Sequence, residues 1–337
     1  MSATPPVAAP GPARWGSLLP AAPDRVPRGL RAMASWHRPL IGFAALMVAW
    51  GLVSLVGFLT DPRLLDGAPI WAKPLKFNIS LALYTTTLAW MTSMIRGRRL
   101  RRVAWWTGTL GVLASLLEIA LITTQAVRGT SSHFNVSTPV DTGIYAAMGS
   151  GIVFFYGSAL VIGGLLLFSS RIADRSLVWA LRLGIPIGVA GLSVGFLMLR
   201  PTADQLANPA GGHVGSHSVG GDDPSGGLWF VGWNSLHGDL RISHFIGMHA
   251  LQVLPLIALA LARFTGRSMG EGTRVRIVLL AAGSWASVAG LTLWQALRGQ
   301  SIIHPDATTM TTAGALALVG AIYATTVLRR ARRDPAR

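Results

Sequence analysis

Between residues 39 and 328 the chain alternates long apolar runs with short polar breaks. A helix rises 1.5 Å per residue, so about 20 apolar residues cover the roughly 30 Å hydrocarbon core of a bilayer. The pattern predicts eight spans, at about 39–60, 74–95, 103–127, 142–168, 177–199, 242–263, 274–297 and 307–328. The expected fold class is therefore all-α, a polytopic membrane helix bundle. In the fifth span Gly184, Gly188, Gly191 and Gly195 form a ridge without side chains, which lets another helix approach closely.

The polar breaks carry an internal echo. QAVRGTSSHFN at 125–135 ends the third span, and QALRGQSIIHP at 295–305 ends the seventh. GFLTDP at 57–62 and GFLMLRP at 195–201 close spans one and five, while LKF at 75–77 and LRI at 240–242 open spans two and six. The matches fall in the same order, and an even number of spans separates each pair. They predict two parallel four-helix repeats, 34–168 and 169–328, related by a pseudo-two-fold axis along the membrane normal. Chance matching of short apolar words is the alternative. The second repeat gains a Gly-rich insertion at 200–240, read either as a functional lid or as a disordered excursion.

Charge settles orientation. The net charge is +16, which in another setting would point to nucleic acid. Here 22 of the 29 Lys and Arg fall in one set of alternate polar segments, as the positive-inside rule requires of cytoplasmic ones. Both termini are then cytoplasmic, the bacterial inner membrane is the expected location, and the lipid bilayer rather than nucleic acid is the partner. Residues 1–33 read as a disordered Pro/Ala-rich cytoplasmic tail and 329–337 as a basic cytoplasmic tail. Cysteine is absent, which removes disulfides and thiolate metal sites.

Against this background certain polar residues stand out. His133, His213, His217, His237, His244, His249 and His304 all fall at or near the extracytoplasmic side, with only His37 opposite. Histidine is the commonest transition-metal ligand and titrates near neutrality. The set is thus a candidate zinc, copper, haem or proton-handling site, with His133 and His304 as a repeat-related pair. His213 and His217 have H-x3-H spacing, and His249 shares a helix face with Gln252. Interfacial histidines bonded to neighbouring loops are the alternative. The only lysines, Lys73 and Lys76, sit in IWAKPLKFNIS, above a polar stripe of Ser80, Tyr84 and Thr87. An amine can lose its proton where a guanidinium cannot; snorkelling to headgroups is the alternative. Glu118 lies well inside the third span, where an ionised carboxylate costs about 2.5–3.5 kcal/mol. Its counterpart Val288 is apolar, so the repeat itself does not require an acid. Asp239 is a second candidate for moving protons.

RGTSSHFNVSTP, HGDLRISHFIGMHALQ and WQALRGQSIIHPD resemble a group of uncharacterised bacterial multi-pass membrane proteins. The resemblance spans most of spans two to eight and carries no assigned activity. HExxH and Walker-loop signatures are absent. Two expectations follow. One is a metal- or haem-dependent membrane enzyme or redox protein; the other is a proton-coupled transporter of a small solute or ion, with Lys76, Ser80, Tyr84, Glu118, His249 and Gln252 lining its cavity.

Overall fold

The computed structural model describes residues 33, 36–169, 172–208, 211–223, 225–265 and 269–333. The expected N-terminal tail, apart from Met33 at its edge, and residues 334–337 of the C-terminal tail lie outside the described residues. The chain is mostly helical: α1 Arg38–Thr60, α2 Ala72–Ser93, α3 Arg98–Arg128, α4 Pro139–Ser169, α5 Arg175–Leu197, the short α6 Ala203–Ala207, α7 Leu240–Thr265, α8 Glu271–Leu297 and α9 Ala307–Arg333. Sheet is limited to two-stranded pairs. β1 Leu64–Leu65 lies antiparallel to β2 Ala68–Pro69, and β3 Ser218–Val219 antiparallel to β4 Gly238–Asp239.

Seven of these helices are long and apolar enough to cross a membrane, which makes this a multi-pass membrane protein. The eighth long helix, α2, has 22 residues but falls outside that set. Its Lys73, Lys76, Asn78, Ser80 and run of threonines lower its hydropathy, and twelve of its residues are buried within the protein. Several of its polar groups are bonded nearby, although Asn78 Oδ1 is buried without a partner. Asn78 donates to Ser54 Oγ at 3.1 Å and to Pro74 O at 2.9 Å, and Thr85 donates to Leu81 O at 2.7 Å.

Helix ends follow from the sequence. Asp174 caps α5 by accepting from Leu177 N–H, and His37 caps α1 through Nδ1, which accepts from Leu40 N–H at 3.2 Å. His37 Nε2 then carries the proton and donates to Trp105 O at 2.8 Å, so this buried histidine ties α1 to α3. α3 stops at Gly129, whose φ of +73° is the left-handed conformation that glycine adopts freely.

Packing follows the same order in the two four-helix groups. α1 packs on α2 and α5 on α7; α2 on α3 and α7 on α8; α3 on α4 and α8 on α9. The tightest contact joins α5 to α7, where the glycine ridge meets Gly247. A Cβ placed on Gly191 would lie 2.3 Å from Met248 N, so the two backbones touch. The core of the bundle gathers Leu40, Met47, Tyr84, Leu88, Leu181 and Leu254. α9 lies at the edge. Only 6% of its most apolar window is buried, against 50% for α3.

The insertion between α5 and α7 forms an ordered cap across one end of the bundle. Asn135 and His213 form an isolated antiparallel bridge, and Ser216 N–H donates to Met198 O at 2.9 Å. Ser301 Oγ donates to Ser235 O at 2.7 Å, and Phe230 packs edge-on against Phe58. The cap therefore rests on both helix groups.

Candidate functional site

The cap covers a place where the start of α2, the middle of α3 and the α3–α4 turn meet. Lys73 is in the first turn of α2. Its ammonium lies 3.1 Å from His133 Nδ1, which is also 3.1 Å from Ser132 Oγ. The other ring nitrogen of His133, Nε2, lies 3.6 Å from Glu118 Oε1. An ammonium can only donate, so Nδ1 accepts, and the neutral ring carries its proton on Nε2, facing the carboxyl. Amine, imidazole and carboxyl thus stand in series, ending on Glu118, whose side chain is 5% exposed. Glu118 Oε2 is buried and has no hydrogen-bond partner.

A second group braces the cap above this series. Asp239 has no exposed side-chain surface and is fully engaged: Arg241 Nη2 binds Oδ2 at 2.6 Å, Arg241 Nε binds Oδ1 at 3.0 Å, and Asn234 N–H donates to Oδ2 at 2.8 Å. Arg241 also reaches Gly232 O, while Lys76 donates to the adjacent Val231 O at 2.9 Å. Two cations from two helix starts therefore grip neighbouring carbonyls of one loop.

Two loop histidines, His133 and His217, are held neutral. Burial, then the Lys73 charge, pushes His133 well below the ordinary imidazole value, tempered by the 28% of its side chain that meets solvent. Burial, then the Arg241 charge, lowers His217 to about 4. Burial would raise the Asp239 carboxyl, but the Arg241 hydrogen bonds and charge hold it below the usual range. Phe134 links the two imidazoles, its ring centroid 6.2 Å from His133 and 6.3 Å from His217. It does so at a φ of +61°, unusual for a bulky residue and a mark of local strain.

The structure brings Lys73, Glu118 and His133 together, with Lys76, His217 and Asp239 close above. It does not gather the remaining candidates. Among the described residues no group of three or more His, Asp or Glu is placed to hold a metal ion, which corrects the expected seven-histidine ligand set. His213 is exposed, and the stretch from His213 to His217 is extended loop, not helix, so the H-x3-H spacing has no common face. His237 lies against Gly221 in the cap. His244 Nδ1 lies 2.8 Å from Gly191 O, which occupies it at the α5–α7 contact. In the orientation that satisfies its amide, Gln252 donates to Met248 O and His249 O on its own helix. His304 is exposed on the α8–α9 turn; it follows Gln295 by nine residues where His133 follows Gln125 by eight, so the two are not equivalent. Of the stripe below Lys76, Tyr84 is core, packed on Phe155 at 5.0 Å.

Arg241, Asn234, Ser132 and Phe134 belong to the site and were not singled out by sequence. The pairing of LKF with LRI places Arg241 opposite Lys76, a signal for the first. The others depend on loop conformation that no local pattern encodes. A groove of about 500 Å³ between α1 and α3, lined by Met47, Trp50, Leu116, Ile119 and Thr123, does not reach the series. Comparisons with protein-family models, with curated proteins and with solved structures find no match.

Proposed function

We propose that the protein is a proton-coupled carrier of a small solute, in which the Lys73–His133–Glu118 series moves the coupling proton beneath the cap. The observation that carries this reading is the series itself, with Nδ1 of one imidazole facing an amine and Nε2 facing a buried carboxyl. Inward transfer breaks a Lys73 Nζ–H bond and forms His133 Nδ1–H, while Nε2–H breaks and Glu118 Oε1–H forms. The ring ends neutral in its other tautomer, and an ammonium–carboxylate pair becomes an amine and an acid. Low polarizability around the site favours the neutral pair, so the step needs only a small driving force. Asp239, saturated by Arg241 and Asn234, serves in this reading as the anchor of the cap.

In the same reading α2 is an eighth crossing, because its polar residues face the bundle, where intramembrane polar groups are tolerated. Both termini are cytoplasmic, since arginines cluster around the helix ends opposite the cap, and the cap is extracytoplasmic. The four-helix groups are parallel repeats. Their support is the shared packing order and one detail: Gln125 Nε2 donates to Ser131 O, and Gln295 Nε2 donates to Ser301 O.

The test is proton flux into liposomes loaded with a pH-sensitive dye, driven by a potassium-diffusion potential, with a panel of sugars, amino acids, carboxylates and inorganic phosphate added in turn. Wild-type protein is expected to acidify the lumen faster when its solute is supplied, and Glu118→Gln and His133→Gln to lower that rate at least tenfold. Acidification no faster than in empty liposomes for every solute overturns the reading. Reporter fusions that place residue 220 inside the cell overturn the topology.

A further inference from the structure

Glu118 presents its two carboxyl oxygens to different surroundings. Oε1 faces His133, as described. Oε2 is buried without a protein partner and borders a chamber of about 30 Å³ between α2, α3 and α4, lined by Phe77, Leu81, Ser115, Gly151 and Phe155. An unsatisfied buried carboxyl oxygen is costly, and native proteins resolve such cases with bound water where space and polar partners exist. Both are present. One water needs about 10–15 Å³, so the chamber holds one or two. Besides Glu118 Oε2, the Ser115 hydroxyl donates to Gly111 O at 2.8 Å and keeps its lone pairs free to accept.

We propose that this chamber is a water site that makes Glu118 a two-sided proton relay. The inference rests on the carrier reading for its role, though not for its existence. With Glu118 protonated on Oε2, that proton passes to the chamber water as Oε1 takes the Nε2 proton of His133. This step starts from the acid formed by the first transfer, once Lys73 has regained a proton and His133 its Nε2–H tautomer; Glu118 stays neutral through it and resets by rotating about its Cγ–Cδ bond. The water hands the proton onward past Ser115, which lies one turn farther from the cap on the same face of α3.

Gly151 makes the proposal testable without a destructive change. A Cβ there would lie 3.6 Å from Ala114 O and 3.9 Å from Glu118 Oε2, ordinary contacts, so alanine fits and takes the space of the water. Gly151 is inside α4, where alanine favours the helix over glycine. Gly157→Ala on the same helix, where a Cβ meets nothing within 4 Å, is the control. Two readouts are measured on full-length protein. The first is the carboxylic C=O stretch of Glu118, assigned by its loss in Glu118→Gln. It is expected to move to higher frequency in Gly151→Ala, as an acid does on losing a hydrogen bond, and to stay put in Gly157→Ala. The second is liposome proton flux, expected to fall at least tenfold in Gly151→Ala with no drop in melting temperature. An unmoved band in Gly151→Ala overturns the water site, as does a carboxylate band that tracks added sodium. A shifted band in a protein that moves no protons keeps the water and ends the carrier reading, so the two failures are distinguishable.

Discussion

Residues 38–169 and 175–333 each hold four long helices, and in both the third of these ends on the same device. Gly129 and Gly299 turn at φ +73° and +70°, a glutamine four residues earlier bonds the carbonyl of Ser131 or Ser301, and an arginine, Arg128 or Arg298, meets an aspartate, Asp141 or Asp306, beyond the turn. Below this corner the two groups diverge. In the register that aligns Gln125 with Gln295, Glu118, Ser115, Gly111 and Gly108 correspond to Val288, Trp285, Ala281 and Val278. The first group leaves room for polar groups, whereas the second fills the space with Trp285, which donates to Ile246 O at 2.6 Å, and with the fully buried Val278. The fourth helix explains the rest. α4 packs on both α2 and α3 and encloses Glu118, but α9 has its substantial contact with α8 alone, leaving Val288 47% exposed. One group is a frame with a chemical interior, and the other is a support that packs closely at its α5–α7 contact.

The hardest way to break this comparison is to attack the support where it is tightest. Gly191→Val pushes a side chain into the backbone of Gly247 and Met248, which flexible side chains cannot relieve. Overpacking against backbone is expected to cost about 3 kcal/mol or more, enough to prevent recovery of folded protein. Gly157→Ala in the first group, with open space around it, should leave the melting curve where it is. Equal tolerance of both would show that the α5–α7 contact is not the structural centre.

Exchanging the interiors sharpens the contrast. Val288→Glu sets a carboxyl on an exposed apolar face and should lower stability by about 2.5–3.5 kcal/mol. Glu118→Val removes a buried polar group whose Oε2 has no partner, and should leave thermal stability in detergent unchanged or raise it by about 1–2 kcal/mol while proton flux disappears. A Glu118→Val protein that unfolds would make the acid a structural residue.

These contrasts also explain what the sequence could disclose. Long apolar runs with basic clusters at alternate breaks are read locally, so helix positions were legible to within a few residues. The corner was legible as an echo because both segments carry Gln, Arg, Gly and Ser at matching places. The histidine set was misleading for a physical reason: counting residues on one side of a membrane says nothing about lateral distance, and His244 sits at the α5–α7 contact, His249 within α7 and His304 exposed on the α8–α9 turn. Glu118 stood out through its desolvation cost, and Lys73 through its rarity. That both meet His133 depends on the path of the α3–α4 turn, with Phe134 in a left-handed conformation that no composition rule selects.

The two corners differ in burial, and their aspartates should differ in consequence. Asp141 keeps 4% of its side-chain surface exposed and receives hydrogen bonds from Gln125, Thr138 and Arg128, whereas Asp306 is 39% exposed. Asp141→Asn should depress the melting temperature clearly more than Asp306→Asn, because Gln125 and Thr138 lose a buried charged acceptor while an exposed pair contributes little. Raising salt to 1 M should shrink the Asp306→Asn effect first, since exposed pairs are screened more strongly. An inverted order would mean that the corners are not held as their burial implies.

The smallest expected effect concerns the cap, which has no counterpart in the first group. His217 lies at its root, facing Asp239 and Arg241 from the α7 start, Lys73 from α2 and Asp66 from the α1–α2 connection. Its folded value of about 4 lies below the ordinary 6.5, so between those values the unfolded chain binds a proton that the folded protein refuses. Stability is then complete above about pH 6.5 and declines as pH falls toward 4, with His133 acting in the same direction. The loss is on the order of 1–2 kcal/mol after allowing for the solvent that reaches the ring. Melting temperatures recorded from pH 7.5 to pH 4 should show this slope, and His217→Gln should flatten the part that His217 contributes. Because Leu240 N–H donates to His217 O, protonation loosens the cap where it joins α7, so protease cleavage within 211–239 should accelerate at pH 5 before any helix is cut. Cleavage that is equally slow at pH 5 and pH 7.5 would show that the cap is held by its backbone pairing and by the Asp239–Arg241 pair, without help from a neutral imidazole.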